Sequence, residues 1–346
     1  MPHWSVYTGS SEPHDGIGQL PAPPPWRAFD GGPVLPAPGD TDDEAAVSPD
    51  RVHRARTYVA TPESVQLVNA ALCLRRPLLV TGPPGTGKSS LAYAVARELG
   101  LGPVLRWNIT SRSSLADALY RYDPLSRLYA VRPGADGEGP EHDGRRAMGA
   151  VEEHLRLGPL GTALLPHDRP RALLIDEIDK SDLDLPNDLL NVLEEGQYEI
   201  PELVRAARHS GAGGMARVLV DGTDTPVSIT RGRVRCRAFP FVVLTSNGER
   251  EFPPAFLRRC VRLKLRRPGR DQLTEIVRSH LGDPDDQAVS LIRAFLDRSG
   301  SGELATDQLL NAIYLTGVAG LDAVSREQLA EQLMPYLSAA ADDDGL

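Results

Sequence analysis

Residues 78–90 read Leu-Leu-Val-Thr-Gly-Pro-Pro-Gly-Thr-Gly-Lys-Ser-Ser. The apolar run 78–80 indicates a short buried strand, and Leu91, Val95 and Leu99 then recur at helical spacing. The loop between them matches the pattern GxxxxGK[ST], which is specific when it joins a strand to a helix. The sequence therefore predicts a strand, a glycine-rich loop and a helix that together enclose a phosphate group.

The residue types of this loop explain why it would bind phosphate. Its glycines let backbone N–H groups turn toward phosphate oxygens, and the helix N-terminus adds the positive end of its dipole. Lys88 would contact the β- and γ-phosphates, and the Ser89 hydroxyl would be a ligand of Mg²⁺. The alternative is a turn that binds nothing, yet one of only three lysines occupies the required position. The predicted nucleotide-binding residues are Gly82, Pro83, Pro84, Gly85, Thr86, Gly87, Lys88, Ser89 and Ser90.

Two acidic residues, Asp176 and Glu177, directly follow a second apolar strand at 172–175. In a protein with a phosphate-binding loop, the Mg²⁺ site requires an aspartate at this place. An adjacent glutamate can act as general base toward the attacking water. The alternative is that both residues merely cap the helix that follows. Because the glycine-rich loop precedes them, we interpret Asp176 and Ser89 as metal ligands and Glu177, with Lys88, as catalytic.

Three further polar residues are candidates for catalysis. Asn247 follows a strand at 239–245, and parallel strands present their carboxyl ends to the ligand. We therefore predict that Asn247 orients water or contacts the γ-phosphate; a plain turn before a glycine is the alternative. Arg258 and Arg259 follow a helical turn, and an arginine supplied in trans can stabilise charge on a transferring phosphoryl group. The alternative is a solvated basic pair at a helix end.

Strand and helix signals alternate between residues 57 and 267. Two more strands are indicated at 104–109 and 261–265, and a helix is indicated at 148–157. Five strands separated by helices predict an α/β fold, the αβα sandwich of P-loop NTPases with a five-stranded parallel sheet. From residue 269 onward the helical stretches 273–280, 287–296, 308–315 and 326–337 predict a small all-helical lid domain over 268–339. An acidic C-terminal tail would cover 340–346.

The first 50 residues differ in composition from the rest. They contain ten prolines and eight acidic residues against a single basic one, Arg27. Such a segment buries too little apolar surface to offset the entropy of ordering, so residues 1–56 are predicted to be a disordered tail. Two interpretations remain open, a passive leader and a segment that docks a partner through Trp4, Trp26 and Phe29.

The overall composition excludes several classes of protein. No apolar run approaches the roughly 18 residues of a membrane helix. The N-terminus lacks the basic and apolar regions of a secretory signal, and three cysteines without CxxC spacing fit a reducing cytoplasm. The net charge of −9 argues against a nucleic-acid partner. We interpret the basic stretch formed by Arg231, Arg233, Arg235 and Arg237 as a solvated strand face; a contact with nucleic acid is the alternative.

Lysine is rare in this chain, which has 35 arginines but only three lysines. This bias is typical of a GC-rich coding sequence. We therefore expect that chemistry requires lysine where it persists, at Lys88, Lys180 and Lys264.

Taken together, these motifs resemble the AAA+ ATPases, and more narrowly the MoxR-like branch, which is grouped with dynein-related ATPases. The resemblance covers about residues 58–337. It implies a Walker A loop at 82–89, Walker B at Asp176 and Glu177, sensor 1 at Asn247, and an arginine finger at Arg259 or, alternatively, Arg258. It also implies ATP and Mg²⁺ as cofactors and a homo-oligomeric ring, expected to be a hexamer. The stretch 197–238 is longer than the family's usual link, and we expect a hairpin there.

The chain departs from the family at one motif. The resemblance implies a sensor 2 arginine at the start of a lid helix, but residues 302–310 contain no arginine and Arg298 is off register. We therefore assign no sensor 2 residue.

The function that the resemblance implies is Mg²⁺-dependent ATP hydrolysis that remodels or activates a partner protein. Expected clients are a protein with a von Willebrand A domain or an effector of a bacterial conflict system. Two alternatives remain open, a slow-turnover switch or scaffold controlled by nucleotide, and an NTPase subunit linked to nucleic acid.

Overall fold

The computed structural model describes residues 4–36, 48–125, 151–209, 214–299 and 305–318. The strands are β1 (Leu78–Thr81), β2 (Leu105–Asn108), β3 (Tyr120–Tyr122), β4 (Leu155–Leu157), β5 (Ala172–Asp176), β6 (Gln197–Glu199), β7 (Met215–Leu219), β8 (Pro226–Thr230), β9 (Arg233–Arg235), β10 (Phe241–Ser246) and β11 (Val261–Lys264). The α-helices are α1 (Pro49–Thr57), α2 (Pro62–Leu74), α3 (Lys88–Glu98), α4 (Leu115–Leu119), α5 (Pro159–Ala163), α6 (Leu185–Glu195), α7 (Pro201–His209), α8 (Pro254–Leu257), α9 (Arg270–Leu281), α10 (Asp286–Ser299) and α11 (Thr306–Val318).

Five strands form one parallel sheet in the order β2-β5-β10-β1-β11. The register pairs Leu173 on β5 with both Leu105 on β2 and Val242 on β10. Strands β5 and β10 are buried along their whole length, which explains why their sequences are continuous apolar runs. The predicted α/β fold of a P-loop NTPase with a five-stranded parallel sheet is confirmed.

Alternate residues of the sheet pack into two apolar cores, one on each face. On β5, Leu173 and Ile175 belong to the core that includes α6, whereas Ala172 and Leu174 pack with α2 and α3. The two-residue period of a strand produces this division. Because both faces are covered, the carboxyl-terminal edge of the sheet is the place left for a ligand.

A second sheet, β3-β4-β7-β8, lies beside the first. Its strands β7 and β8 pair antiparallel and form the hairpin expected within 197–238. The prediction of a helix at 148–157 is wrong over its last three residues. Residues 155–157 form β4, which pairs antiparallel with β3. Leu155 and Leu157 are buried on either side of exposed Arg156, and this two-residue period is that of a strand.

The C-terminal part contains three of the four predicted lid helices, α9, α10 and α11. They share a small apolar core formed by Leu273, Val277, Ile292, Phe295, Leu309 and Ala312. The fourth predicted helix, 326–337, and the predicted acidic tail, 340–346, lie outside the described residues. Among the helices that are described, none has the length and apolar character needed to cross a membrane.

Residues 4–36 pack against the sheet domain, so the prediction of a disordered tail over 1–56 is wrong for them and for α1. The side chain of Asn69 on α2 is buried, and its Oδ1 accepts hydrogen bonds from the N–H groups of Val6 (2.7 Å) and Tyr7 (2.9 Å). Its Nδ2 donates to the Tyr7 carbonyl at 2.8 Å. One buried side chain thus supplies hydrogen bonds that the composition of the segment does not predict. Residues 1–3 and 37–47 lie outside the described part.

The carboxylate of Glu98, at the end of α3, is a second anchor for this segment. It is fully buried and accepts hydrogen bonds from the N–H groups of Thr8, Gly9 and Ser11. The ring of His14 lies 3.1 Å from the same carboxylate. These donors compensate a charge that would otherwise be costly to bury. The N-terminal segment is therefore fixed to the helix that follows the glycine-rich loop.

The three aromatic residues proposed for partner docking have different environments. Phe29 stacks on Phe239 with ring centroids 5.4 Å apart, and Trp4 is half-buried. Only Trp26 is strongly exposed, at 76% of its surface. Of the three aromatics, Trp26 alone is therefore available to a partner.

His167 holds the C-terminal end of the segment 4–36. It forms an isolated parallel bridge with Leu35, and its Nδ1 lies 3.1 Å from the carbonyl oxygen of Pro36. Because a carbonyl only accepts, Nδ1 carries the proton of the neutral ring. Burial lowers the pKa of His167 to about 4, and the nearby charge of Arg171 acts in the same direction.

We predict that His167 makes the fold less stable in mild acid. Its pKa is about 6.5 in the unfolded chain, so between about pH 6.5 and 4 the unfolded chain binds a proton that the folded chain does not. The free energy of unfolding should therefore fall as the pH drops through this window, by about 3 kcal/mol at most, and this contribution should be constant above it. Urea denaturation of the wild type and His167→Gln at several pH values measures the difference. Parallel pH profiles would contradict the prediction.

Candidate nucleotide-binding site

The glycine-rich loop between β1 and α3 has the backbone geometry that its sequence predicts. Gly85 and Gly87 have φ angles of +72° and +81°, in the left-handed region that favours glycine. The Nζ of Lys88 donates to the carbonyls of Gly82 and Pro83, both at 2.8 Å. The ammonium group is therefore held inside the loop, at the N-terminus of α3, where an anion is favoured.

Asp176 joins four elements of the fold at the end of β5. Its Oδ1 accepts hydrogen bonds from the hydroxyls of Ser89 on α3 and Thr245 on β10, both at 2.7 Å. Its Oδ2 accepts a charge-assisted hydrogen bond from Nη2 of Arg106 on β2 at 3.0 Å. The two residues predicted to be metal ligands, Ser89 and Asp176, are thus in direct contact.

Glu177 occupies a strained turn immediately after β5. Its φ of +63° is in the left-handed region, which a glutamate rarely adopts and which is often found at functional sites. The N–H of Glu177 donates to the Thr245 hydroxyl at 2.9 Å, and its carboxylate forms an ion pair with Lys180 at 2.8 Å. One hydroxyl, that of Thr245, therefore fixes both acidic residues at the end of β5.

Asn247 is positioned through its backbone by a buried acid. Oδ2 of Asp179 accepts hydrogen bonds from the N–H groups of Asn247 (2.9 Å) and Glu249 (3.2 Å). Asp179 is 3% exposed, and its Oδ1 has no hydrogen-bond partner within the described part of the chain. Asp179 also favours the charged form of Lys88, whose pKa is lowered by burial. Asp179 is not among the site residues predicted from the sequence.

A cavity of about 1040 Å³ opens above the glycine-rich loop, between the sheet domain and the lid. A cavity of this size accommodates a nucleotide. Residues 84–90 line it, together with Asp176, Glu177 and Asn247. Gly82 and Pro83 do not line it, but their carbonyls accept hydrogen bonds from Nζ of Lys88. The structure thus brings most of the predicted nucleotide-binding residues to one cavity, and their roles stay predictions.

Helix α1 forms one wall of this cavity, although it lies in the stretch predicted to be a disordered tail. The hydroxyl of Thr57 lies 3.0 Å from Nε2 of His280 on lid helix α9, and the rings of His53 and His280 meet edge to face with centroids 5.0 Å apart. Burial lowers the pKa of His280, and His53 acts in the same direction. The N-terminal part of the chain therefore contacts the lid directly.

The start of α11 touches the glycine-rich loop. A Cβ at Gly85 would lie 2.7 Å from the Cβ of Ala305 and 2.8 Å from the N of Thr306, so only glycine fits. The cavity wall at this point is formed by Thr306 and Asp307, and residues 305–318 contain no arginine. The cations at the junction with the lid come instead from Lys264, Arg266 and Arg267.

All three lysines of the chain lie at this site. Lys88 is inside the loop, Lys180 pairs with Glu177, and Lys264 lines the cavity. That chemistry requires lysine at these three positions stays a prediction.

Arg258 and Arg259 lie outside this cavity, at the end of α8. Arg259 is half-exposed; its Nε is 3.6 Å from the carboxylate of Glu194, and its Nη1 donates to the carbonyl of Ala255 at 3.2 Å. The carbonyl oxygen of Arg258 accepts a hydrogen bond from Arg76 at 3.0 Å. Neither arginine lines the cavity above the glycine-rich loop.

The basic stretch around β9 is a solvated strand face, as predicted. Arg233 and Arg235 are exposed and pair with acids, Arg233 with Glu199 at 2.9 Å and Arg235 with Asp30 at 2.7 Å. These pairs offset the charge of two of the four arginines; Arg231 and Arg237 are also exposed but lie outside β9.

The family of the chain follows from comparison with known proteins. The family model for AAA domains of the dynein-related subfamily matches residues 77–260. Because this match spans more than half of the chain, the chain belongs to the dynein-related subfamily of AAA domains. The resemblance noted from the motifs is confirmed.

Similar solved structures include NtrX from Brucella abortus. The complex with ADP is 14% identical, with a TM-score of 0.40, and the match covers 83% of this chain and 56% of NtrX. The complex with ATP is 15% identical, with a TM-score of 0.38, and covers 81% of this chain and 57% of NtrX. The chain thus spans little more than half the length of NtrX. No curated protein sequence matches the chain.

We predict that Thr245→Val disturbs both acids at once. Valine keeps the shape of the side chain but removes the hydroxyl that donates to Asp176 and accepts from Glu177. Losing partners for buried polar groups should lower the free energy of unfolding by about 1–3 kcal/mol. Urea denaturation measures this loss, with Thr230→Val on the exposed side of β8 as matched control. Equal stability of the two variants would contradict the prediction.

Proposed function

We propose that this protein hydrolyses ATP with the help of Mg²⁺. The observation that carries the proposal is the meeting of Lys88, Ser89, Asp176 and Glu177 at one edge of the sheet, beside a cavity of nucleotide size. Membership of the AAA family supports a nucleotide as the ligand. Lys88 and the N-terminus of α3 would hold the phosphates, where positive charge is concentrated.

The donor atoms of the site suit Mg²⁺. Ser89 and Asp176 supply oxygen atoms, which this cation prefers, and they already lie in contact. The described residues contain no cluster of three or more His, Cys, Asp or Glu that would hold a metal alone. Phosphate oxygens would therefore complete the ligand set, and the cation would offset charge on the phosphates.

Glu177 would accept a proton from the attacking water. Its present partner, Lys180, is half-exposed, and such a pair contributes no more than about 1 kcal/mol, so substrate binding can separate it. Asn247, positioned by Asp179, lines the same cavity and would orient the water.

We infer that the active form is a homo-oligomeric ring, expected to be a hexamer. Arg259 does not line the cavity of its own subunit, so it would act on the nucleotide of a neighbour. Movement of the lid against the sheet would then transmit hydrolysis to a protein client. By family resemblance, the client is a protein with a von Willebrand A domain or an effector protein.

A second candidate function is a slow switch that binds ATP and seldom hydrolyses it. Two observations favour it. Lys180 forms an ion pair with the carboxylate of Glu177, and residues 305–318, which include α11, contain no arginine. Steady-state phosphate release, measured with and without a partner protein, separates the switch from an ATPase.

We predict that Glu177→Gln binds ATP but hydrolyses it roughly 10²–10⁴-fold more slowly, because the amide cannot accept the proton. Phosphate release and ATP titration measure the two properties separately. The matched control is Glu153→Gln, at an exposed position outside the cavity. Hydrolysis at the wild-type rate in Glu177→Gln would rule out Glu177 as the base.

Mixing two inactive variants tests the action of Arg259 in trans. Subunits with Arg259→Ala retain Glu177, and subunits with Glu177→Gln retain Arg259, so a mixed ring contains some complete sites. The mixture should regain hydrolysis that neither variant shows alone, since an arginine finger contributes about 10³–10⁵ in rate. Recovery of no activity on mixing, at any protein concentration, would show that Arg259 does not act in trans.

A further inference from the structure

The carboxylate of Glu194 lies between two arginines that are far apart in the sequence. Its Oε2 is 3.4 Å from Nη1 of Arg27, in the N-terminal segment, and its Oε1 is 3.6 Å from Nε of Arg259. Glu194 lies near the C-terminus of α6, the helix that follows the Asp176–Glu177 turn. One side chain therefore connects the N-terminal segment to the candidate arginine finger.

Arg27 is fixed in place from several directions. It is 3% exposed, and its guanidinium donates to the backbone carbonyls of Arg75, Leu193 and Glu194. These carbonyls lie at the C-terminal ends of α2 and α6, where the helix dipole favours a cation.

Two aromatic rings also hold Arg27. Its guanidinium lies over the ring of Phe29 at 5.2 Å and over that of Phe239 at 4.7 Å. Arg27 is the single basic residue among the first 50 and the N-terminal segment delivers it to this point. The result is an immobile positive charge beside the carboxylate of Glu194.

The contacts of the two candidate fingers differ. Arg259 has two side-chain contacts, through Nε to Glu194 and through Nη1 to the carbonyl of Ala255. The backbone carbonyl of Arg258 accepts a hydrogen bond from Nη1 of Arg76 at 3.0 Å. This hydrogen bond fixes the turn that carries both arginines. Arg259 is therefore the one whose side-chain direction is defined by its own subunit.

We propose that Glu194 is a positioning residue for Arg259, and that Arg27 fixes Glu194 for this role. The proposal rests on the function of Arg259 in trans inferred above. A half-exposed ion pair at this distance changes an equilibrium by no more than about fivefold. Such a pair restricts the direction of the arginine, yet it is too weak to hold the guanidinium back from a phosphate. Glu194 therefore favours the productive orientation rather than blocking it.

The direct test places Glu194→Gln in one kind of subunit of the mixed ring. The complete sites of that ring take Glu177 from the Arg259→Ala subunits and Arg259 from the Glu177→Gln subunits. Adding Glu194→Gln to the subunits that supply Arg259 should lower the recovered kcat about twofold to fivefold, with KM for ATP unchanged. Adding it to the subunits that supply Glu177 should change nothing.

A matched control and a conservative variant complete the design. Glu195→Gln alters the neighbouring exposed glutamate, which contacts Gln197, and should have no effect in either kind of subunit. Glu194→Asp keeps the charge and should restore part of the activity. Equal losses from Glu194→Gln in both kinds of subunit would show a merely structural role and overturn the proposal. If the reference mixture without Glu194→Gln recovers no activity, the action of Arg259 in trans fails, and the proposal fails with it.

Discussion

The buried carboxylate of Asp176 is the interaction on which the arrangement of the site depends. It accepts hydrogen bonds from Ser89, Thr245 and Arg106, and so ties the helix after the glycine-rich loop to three neighbouring strands. A carboxylate buried at the edge of a sheet is costly unless its oxygens are satisfied, so these partners must meet for the fold to close. The same requirement leaves Ser89 and Asp176 in contact at the place where a hard cation would bind.

The N-terminal segment is an integral part of the nucleotide-binding unit. Asn69 and Glu98 bind its first residues, α1 forms a wall of the cavity, and Arg27 contacts the carboxylate of Glu194. These contacts place one segment next to the loop helix, the lid and the turn with the candidate finger. The candidate nucleotide site, the lid and the candidate arginine finger therefore all lie next to a part of the chain whose composition suggested disorder.

The sequence predicted best what is local. The glycine-rich loop, the acids after β5 and the positions of the five parallel strands along the chain depend on short-range patterns, and the structure has them where they were expected. The packing of residues 4–36 could not be predicted because it depends on two single buried side chains, Asn69 and Glu98, which are distant from that segment in the sequence. The contribution of Thr245 could not be predicted for a similar reason, since its hydroxyl reaches Asp176 only when β10 lies beside β5. The rarity of lysine pointed to residues of the site. The single arginine among the first 50 residues, Arg27, could have pointed in the same way to a fixed N-terminal segment.

The central claim is that Asp176 and Ser89 hold the cation that accompanies ATP. Its most direct test is a titration of ATP, with and without Mg²⁺, into the wild type and Asp176→Asn. Asparagine keeps the shape, and its Oδ1 can still accept hydrogen bonds from Ser89 and Thr245, but it loses the hydrogen bond from Arg106. Circular dichroism and ATP binding without Mg²⁺ therefore first establish that the variant folds. We expect Mg²⁺ to tighten ATP binding to the wild type and to leave binding to Asp176→Asn unchanged. An equal effect of Mg²⁺ on both proteins would contradict the assignment.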